Sequence, residues 1–183
     1  MKRLTVVVIL LCLTTVIPAQ SPIERGSYTI NGSITYSSES YNNISSSYSI
    51  FIFNPQFGYF FVDKLYTAVS LTLRSYSSGG TSTTLYGIGP SFRYYFDNNK
   101  VKPFAGAAFN YLVQSTGGES NSSTNTEFKL TGGLDYFISS DVALEATINY
   151  SFIHFSYPGG YYSSDSYSSK LFQLGIGVNY FIF

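Results

Sequence analysis

Apolar and polar residues alternate one for one in eight separate stretches of this chain, and that period of two leaves few folds open. An extended strand sends successive side chains to opposite faces, so each stretch predicts a strand with one apolar and one polar side. The first apolar set is Tyr28, Ile30, Gly32, Ile34 and Tyr36, and the last is Phe172, Leu174, Ile176, Val178 and Tyr180. Between them lie sets running through Phe51–Tyr59, Thr67–Leu73, Tyr86–Phe96, Ala105–Tyr111, Phe128–Tyr136 and Leu144–Phe152. Apolar residues nowhere keep helical spacing for more than a turn or two. An even number of strands is what closing an antiparallel barrel requires here.

The connections alternate between long and short. Ser37–Ser47, Ser77–Ser82, Ser115–Asn125 and Phe155–Ser169 read as long loops rich in Ser, Gly, Asn and Tyr. Val62–Lys64, Asp97–Lys100 and Ser139–Asp141 read as tight turns. Long loops at one end and short turns at the other is the asymmetry of an outer-membrane barrel, with both termini at the short-turn end.

A soluble barrel also alternates, so composition must decide which face is apolar. Only 11% of residues are charged, less than half the usual share, while Tyr and Phe number 18 and 16. The polar parity is mostly Ser, Thr, Asn, Gln and Gly, which suits a lumen and not a water-facing surface. Aromatics fall near both strand ends, at Tyr59, Phe61, Tyr94, Phe96, Tyr136 and Tyr180 and again at Tyr36, Tyr48, Tyr86, Tyr111, Tyr150 and Phe152. Two belts of this kind match the two interfaces of a bilayer. The expected fold is all-β, an eight-stranded up-and-down antiparallel transmembrane β-barrel, monomeric and located in the bacterial outer membrane.

Residues 1–19 read as a cleaved signal peptide, with Lys2-Arg3 before an apolar run and Pro18-Ala19-Gln20 after it, leaving residues 20–183 as the barrel domain. The lone Cys12 leaves with that leader, so neither a disulfide nor a cysteine metal site is expected. A formal net charge of zero argues against nucleic acid as a partner. No dinucleotide or phosphate-loop motif occurs, and no cofactor is expected.

Three segments carry a family resemblance: Pro55-Gln56-Phe57-Gly58-Tyr59-Phe60 leading to Asp63-Lys64, Gly87-Ile88-Gly89-Pro90-Ser91-Phe92-Arg93-Tyr94-Tyr95-Phe96, and Lys102-Pro103-Phe104-Ala105-Gly106-Ala107. Their strand-turn-strand cadence resembles the outer-membrane β-barrel domain family, the small OmpA-like and opacity-like barrels of Bacteroidetes-type bacteria, from about residue 25 to the end. The resemblance implies a setting among outer-membrane lipid and lipopolysaccharide, insertion by the barrel-assembly machinery, and an envelope structural, adhesin-like or narrow porin-like role. The terminal Phe183 resembles the assembly signal of such barrels, yet it and Phe181 fall on the inward parity. Either a bulge near Asn179 shifts the register, or the signal is read one residue early.

Six ionisable residues fall on the inward parity: Arg74, Arg93, Glu127, Lys129, Asp135 and Glu145. Their charges sum to zero, and an eight-stranded lumen has room for little beyond side chains, so they are expected to pair and plug it. Arg93, Asp135 and Glu145 lie toward the turn end; Arg74, Glu127 and Lys129 lie toward the loops. A second chemistry is suggested by His154 and Ser156, whose spacing resembles the His-x-Ser pair of outer-membrane lipid A deacylases. That reading lacks an obvious carboxylate partner other than Asp165, and a non-enzymatic protein is expected. The segments 40–43, 117–121 and 157–162 have a Tyr/Ser/Gly/Asn palette that suits an extracellular ligand.

Overall fold

The computed structural model describes residues 22–40, 47–78, 81–96, 100–115, 124–156 and 167–183. Residues 1–21, residues 97–99 and the interiors of all four predicted long loops lie outside them. Eight strands follow one another: β1 (Tyr28–Ser40), β2 (Ser47–Val62), β3 (Leu65–Ser78), β4 (Thr81–Tyr95), β5 (Val101–Ser115), β6 (Thr124–Phe137), β7 (Val142–Ser156) and β8 (Tyr167–Ile182). Each pairs with its sequence neighbours, and β8 returns to β1, closing an antiparallel barrel.

The apolar parity faces outward along every strand. Ile30, Phe57, Val69, Ile88, Phe109, Leu130, Ile148 and Ile176 are all exposed, whereas their sequence neighbours point inward. Following partners around the wall from Tyr28 passes through Tyr59, Thr67, Phe92, Ala107, Leu130 and Tyr150 to Phe172. The residue that faces Tyr28 on β8 is Ile182, ten positions away from Phe172. That stagger tilts the strands, so inward residues distant in sequence meet at one level.

Two expectations about the connections change. Ser77 pairs with Ser82 and Ser78 with Thr81, so only residues 79–80 separate β3 from β4; this connection is short, because the serines and threonines continue the ladder. The carboxyl terminus contains no bulge. Pairing runs unbroken from Ile34–Ile176 to Tyr28–Ile182, which leaves Phe181 inward and 1% exposed. The register shift lies instead between Phe60 and Val62, next to the β2–β3 turn. There Lys64 takes a positive φ of 66°, as a tight hairpin demands.

The amino-terminal segment does more than lead into β1. Lys64 N–H donates to the Ile23 carbonyl at 2.8 Å, and Gly26 N–H donates to the Phe60 carbonyl at 2.9 Å. Arg25 N–H donates to Asp63 Oδ1 at 2.8 Å. These bonds fold residues 23–27 across the short-turn end and insert Ile23, 2% exposed, into the barrel.

Candidate functional site

All six predicted charges point into the lumen, and the strand stagger sorts them into two groups. In the loop-side group Arg74 of β3 donates from Nη2 to Glu127 Oε1 of β6 at 2.7 Å. Asn110 Nδ2 donates to the other carboxylate oxygen, Glu127 Oε2, at 3.0 Å, and is itself positioned by the Ser70 hydroxyl at 3.1 Å. Lys129 sits two residues along β6 and is half-buried. A polar cavity of about 30 Å³ lies among Arg74, Glu127, Lys129, Asn54, Arg93 and Glu145. It has room for about two waters.

The turn-side group centres on Glu145 of β7, which is paired with Arg93 of β4 across the lumen. Asn31 Nδ2 and Asn179 Nδ2 also donate to Glu145 Oε2, at 3.1 and 3.0 Å. Asp135 faces Glu145 directly across the β6–β7 ladder. Its two oxygens accept from Asn179 Nδ2 at 2.7 Å and from the Tyr95 hydroxyl at 2.9 Å. The bonds to Glu145 and Asp135 are to carboxyl groups, the stronger class of hydrogen bond when the acceptor is charged, and Asn31 also donates to the Asn179 amide oxygen. The Arg93 guanidinium also lies 4.5 Å from the Phe104 ring centre and 5.6 Å from that of Tyr66. Cation–π attraction is strongest when the cation is desolvated, as it is here.

Below Arg93 the lumen is not polar, contrary to the even Ser/Thr/Asn lining expected. Ile23, Phe60, Tyr66, Tyr95, Phe104 and Phe181 form a buried apolar cluster, with Phe137 and Phe183 packed against it. Ring centroids lie 5.3 Å apart for Phe60–Tyr66, 5.2 Å for Tyr95–Phe104 and 5.0 Å for Phe137–Phe181, the spacing of packed aromatic pairs. Gly58 makes the room: a Cβ there would fall within the Tyr66 ring. The signal was present in the sequence, because strict alternation gives way to aromatic runs at Tyr59-Phe60-Phe61, Tyr94-Tyr95-Phe96 and Tyr180-Phe181.

The charge count also changes. Lys102, 8% exposed, points inward beside Asp135 on the facing strand, so four cations accompany three carboxylates among the described residues. It sits at the start of β5, where the turn boundary hid its parity. The second candidate, His154, lies on the outer face; its Nδ1 is 3.2 Å from Ser168 Oγ on β8. The side chain of Ser156, Asp165 and the segments 41–43, 117–121 and 157–162 lie outside the described residues. No group of three or more His, Cys, Asp or Glu residues among those described is placed to hold a metal ion.

A family model described as the outer membrane protein beta-barrel domain matches residues 6–181. Searching curated proteins finds no match. Among solved structures, Neisserial surface protein A is similar at 25% identity and a TM-score of 0.63, covering 85% of this chain and 96% of that one. OprG from Pseudomonas aeruginosa aligns at 14% identity and a TM-score of 0.57, covering 87% and 97%. The outer membrane enzyme PagL aligns at 16% identity and 0.52, covering 83% and 98%, a likeness of fold alone. With a closed eight-stranded wall and an apolar outer face, the chain belongs to the outer membrane protein β-barrel domain family and resides in the bacterial outer membrane.

Proposed function

We propose that this barrel is a non-enzymatic envelope structural protein with a sealed lumen, and not a pore. The observation that carries this reading is the stack of barriers at the turn end: the Arg93–Glu145–Asp135 network rests on the aromatic cluster, which Ile23 caps. A conducting eight-stranded barrel needs a continuous polar path, and the polar cavity between the two charge groups, about 30 Å³, holds only a water or two. Planar-bilayer recording of the folded protein tests it. Small-ion conductance steps from the wild type would overturn the sealed reading, and a silent bilayer is the expected result.

An adhesin-like role would rest on segments 40–43, 117–121 and 157–162. Deleting residues 157–162 and measuring surface binding tests that role, since an inert connection tolerates the loss. The lipid A deacylase alternative keeps His154 on the lipid side, where substrate would lie, and a neighbour of similar fold is an enzyme. His154 is engaged with Ser168, and no carboxylate among the described residues shares its face. Lipid A from expressing cells should keep its acyl chains by mass spectrometry; loss of one chain would restore the enzyme reading.

A further inference from the structure

The charges inside the barrel do not all close into pairs. Arg74 is bonded to Glu127 and Arg93 to Glu145, while Lys102 faces Asp135 across the β5–β6 ladder. The fourth inward cation, Lys129, makes no hydrogen bond or ion pair with any described residue. Its neighbours across the two ladders are Ala108 on β5 and Ser151 on β7, and neither brings a negative charge. Yet Lys129 lines the same small cavity that both arginine–glutamate pairs border. An ammonium inside a wall whose other side is lipid is costly without a counter-charge.

The open hydrogen-bonding capacity around that cavity is mostly of one kind. Arg74 and Gln173 line it and are 2 and 6% exposed, and Arg74 Nε and Gln173 Nε2 have no acceptor. With the Lys129 ammonium, three groups there have protons to give. Only Glu145 Oε1, among the described lining residues, stands as a buried acceptor without a donor. Water would accept from the donors but would bring two protons of its own, and it carries no charge. An anion accepts from every side and supplies the missing charge. A volume of about 30 Å³ takes two water-sized occupants, which suits one halide beside one water and excludes a phosphate or an organic acid.

We propose that the lumen holds one chloride ion as a structural counter-ion. The Lys129 ammonium binds it, and Gln173 Nε2 and the Arg74 guanidinium complete its shell. The water beside it gives one proton to the chloride and the other to Glu145 Oε1, so the remaining acceptor is met as well. With the three carboxylates ionised, the halide balances the four inward cations. The sealed-barrel reading neither requires this site nor supplies it, since the ion is held and not conducted.

The test uses the full folded chain in detergent micelles. Crystals grown with sodium bromide in place of chloride are measured at the bromine absorption edge, and one anomalous peak in the cavity, in contact with Lys129 Nζ, is expected. In solution, the temperature of the heat-dependent gel shift is read at one ionic strength in sodium chloride, bromide, gluconate or phosphate. Wild type should melt about 4 °C higher in either halide than in the two larger anions, at a tenfold excess over the dissociation constant. Lys129→Gln should show no anomalous peak, and its own salt series, which carries any general salt effect, should lose the halide advantage. A cavity without bromide, equal melting of wild type in all four salts, or a halide advantage that survives in Lys129→Gln would each overturn the proposal. A bromide peak with no halide advantage in solution would mean an adventitious ion only, and would overturn it too. If Lys129→Gln does not fold, the wild-type crystal and salt series decide alone. A silent bilayer together with an empty cavity would remove the chloride and leave the sealed barrel standing.

Discussion

The two halves of the lumen solve one packing problem with different materials. At the turn end, rings and Ile23 fill the space and Arg93 lies against two aromatic faces, with the small polar cavity on its other side. At the loop end, the Arg74–Glu127 pair is flanked on the wall by the buried side chains of Ile52, Leu85, Ile153 and Asn110 and borders the small cavity. A polar atom of Gln173 beside that cavity makes no protein hydrogen bond, which suits a site that water enters, and Glu145 Oε1 and Asn31 Oδ1 of the turn-side group make none either. A buried pair is costly to break where nothing can replace the lost partner, and cheaper where water can. The turn-side half should therefore hold the fold rigid, while the loop-side half tolerates change.

That contrast can be broken by substitution. The largest effect is expected from Gly58→Leu, which drives a side chain into the Tyr66 ring; no heat-shifted, folded band should form. Glu145→Ala should cost about 3–5 kcal/mol by leaving Arg93 buried and unpaired, measured from urea titrations of the folded band. Glu127→Ala at the loop end should cost less; equal losses would erase the distinction between the halves. Tyr66→Phe removes the acceptor of the Thr29 hydroxyl bond and should cost about 1 kcal/mol. Smallest should be Thr131→Ala, which loses a 2.8 Å bond to Asn149 beside the cavity, at about 0.5 kcal/mol because water replaces it.

The sequence carried the wall more fully than the interior. Period-two alternation is a local property, and Ile30, Val69 or Ile176 show their outward face without knowledge of any partner. Pairing inside the lumen depends on the stagger, a property of the whole closed sheet. Arg93 and Glu145 are 52 residues apart, and only the cumulative offset brings them together. The aromatic cluster was overlooked for another reason: Phe60, Tyr95 and Phe181 stand beside outward aromatics, so a rule that assigns rings to belts assigns them outside. Lys102 escaped because it is only the second residue of β5, with too little preceding alternation to fix its side.

The pairing beyond the outer aromatic belt has a consequence for how the barrel meets its surroundings. On β3 and β4, four pairs from Ser75–Thr84 to Ser78–Thr81 continue past Tyr86 with no apolar outward residue. At about 3.3 Å per residue and a tilt near 40°, the five residues from Leu85 to Thr81 rise roughly 13 Å above the hydrocarbon boundary. On β7 and β8 the ladder past Lys170 is shorter, ending at Phe155–Tyr167. Among the described residues, the paired ladder runs farther past the outer belt on β3–β4 than on β7–β8. The β3–β4 backbone thus leaves the bilayer already paired, so its N–H and C=O groups are satisfied across that boundary without help from lipid or water.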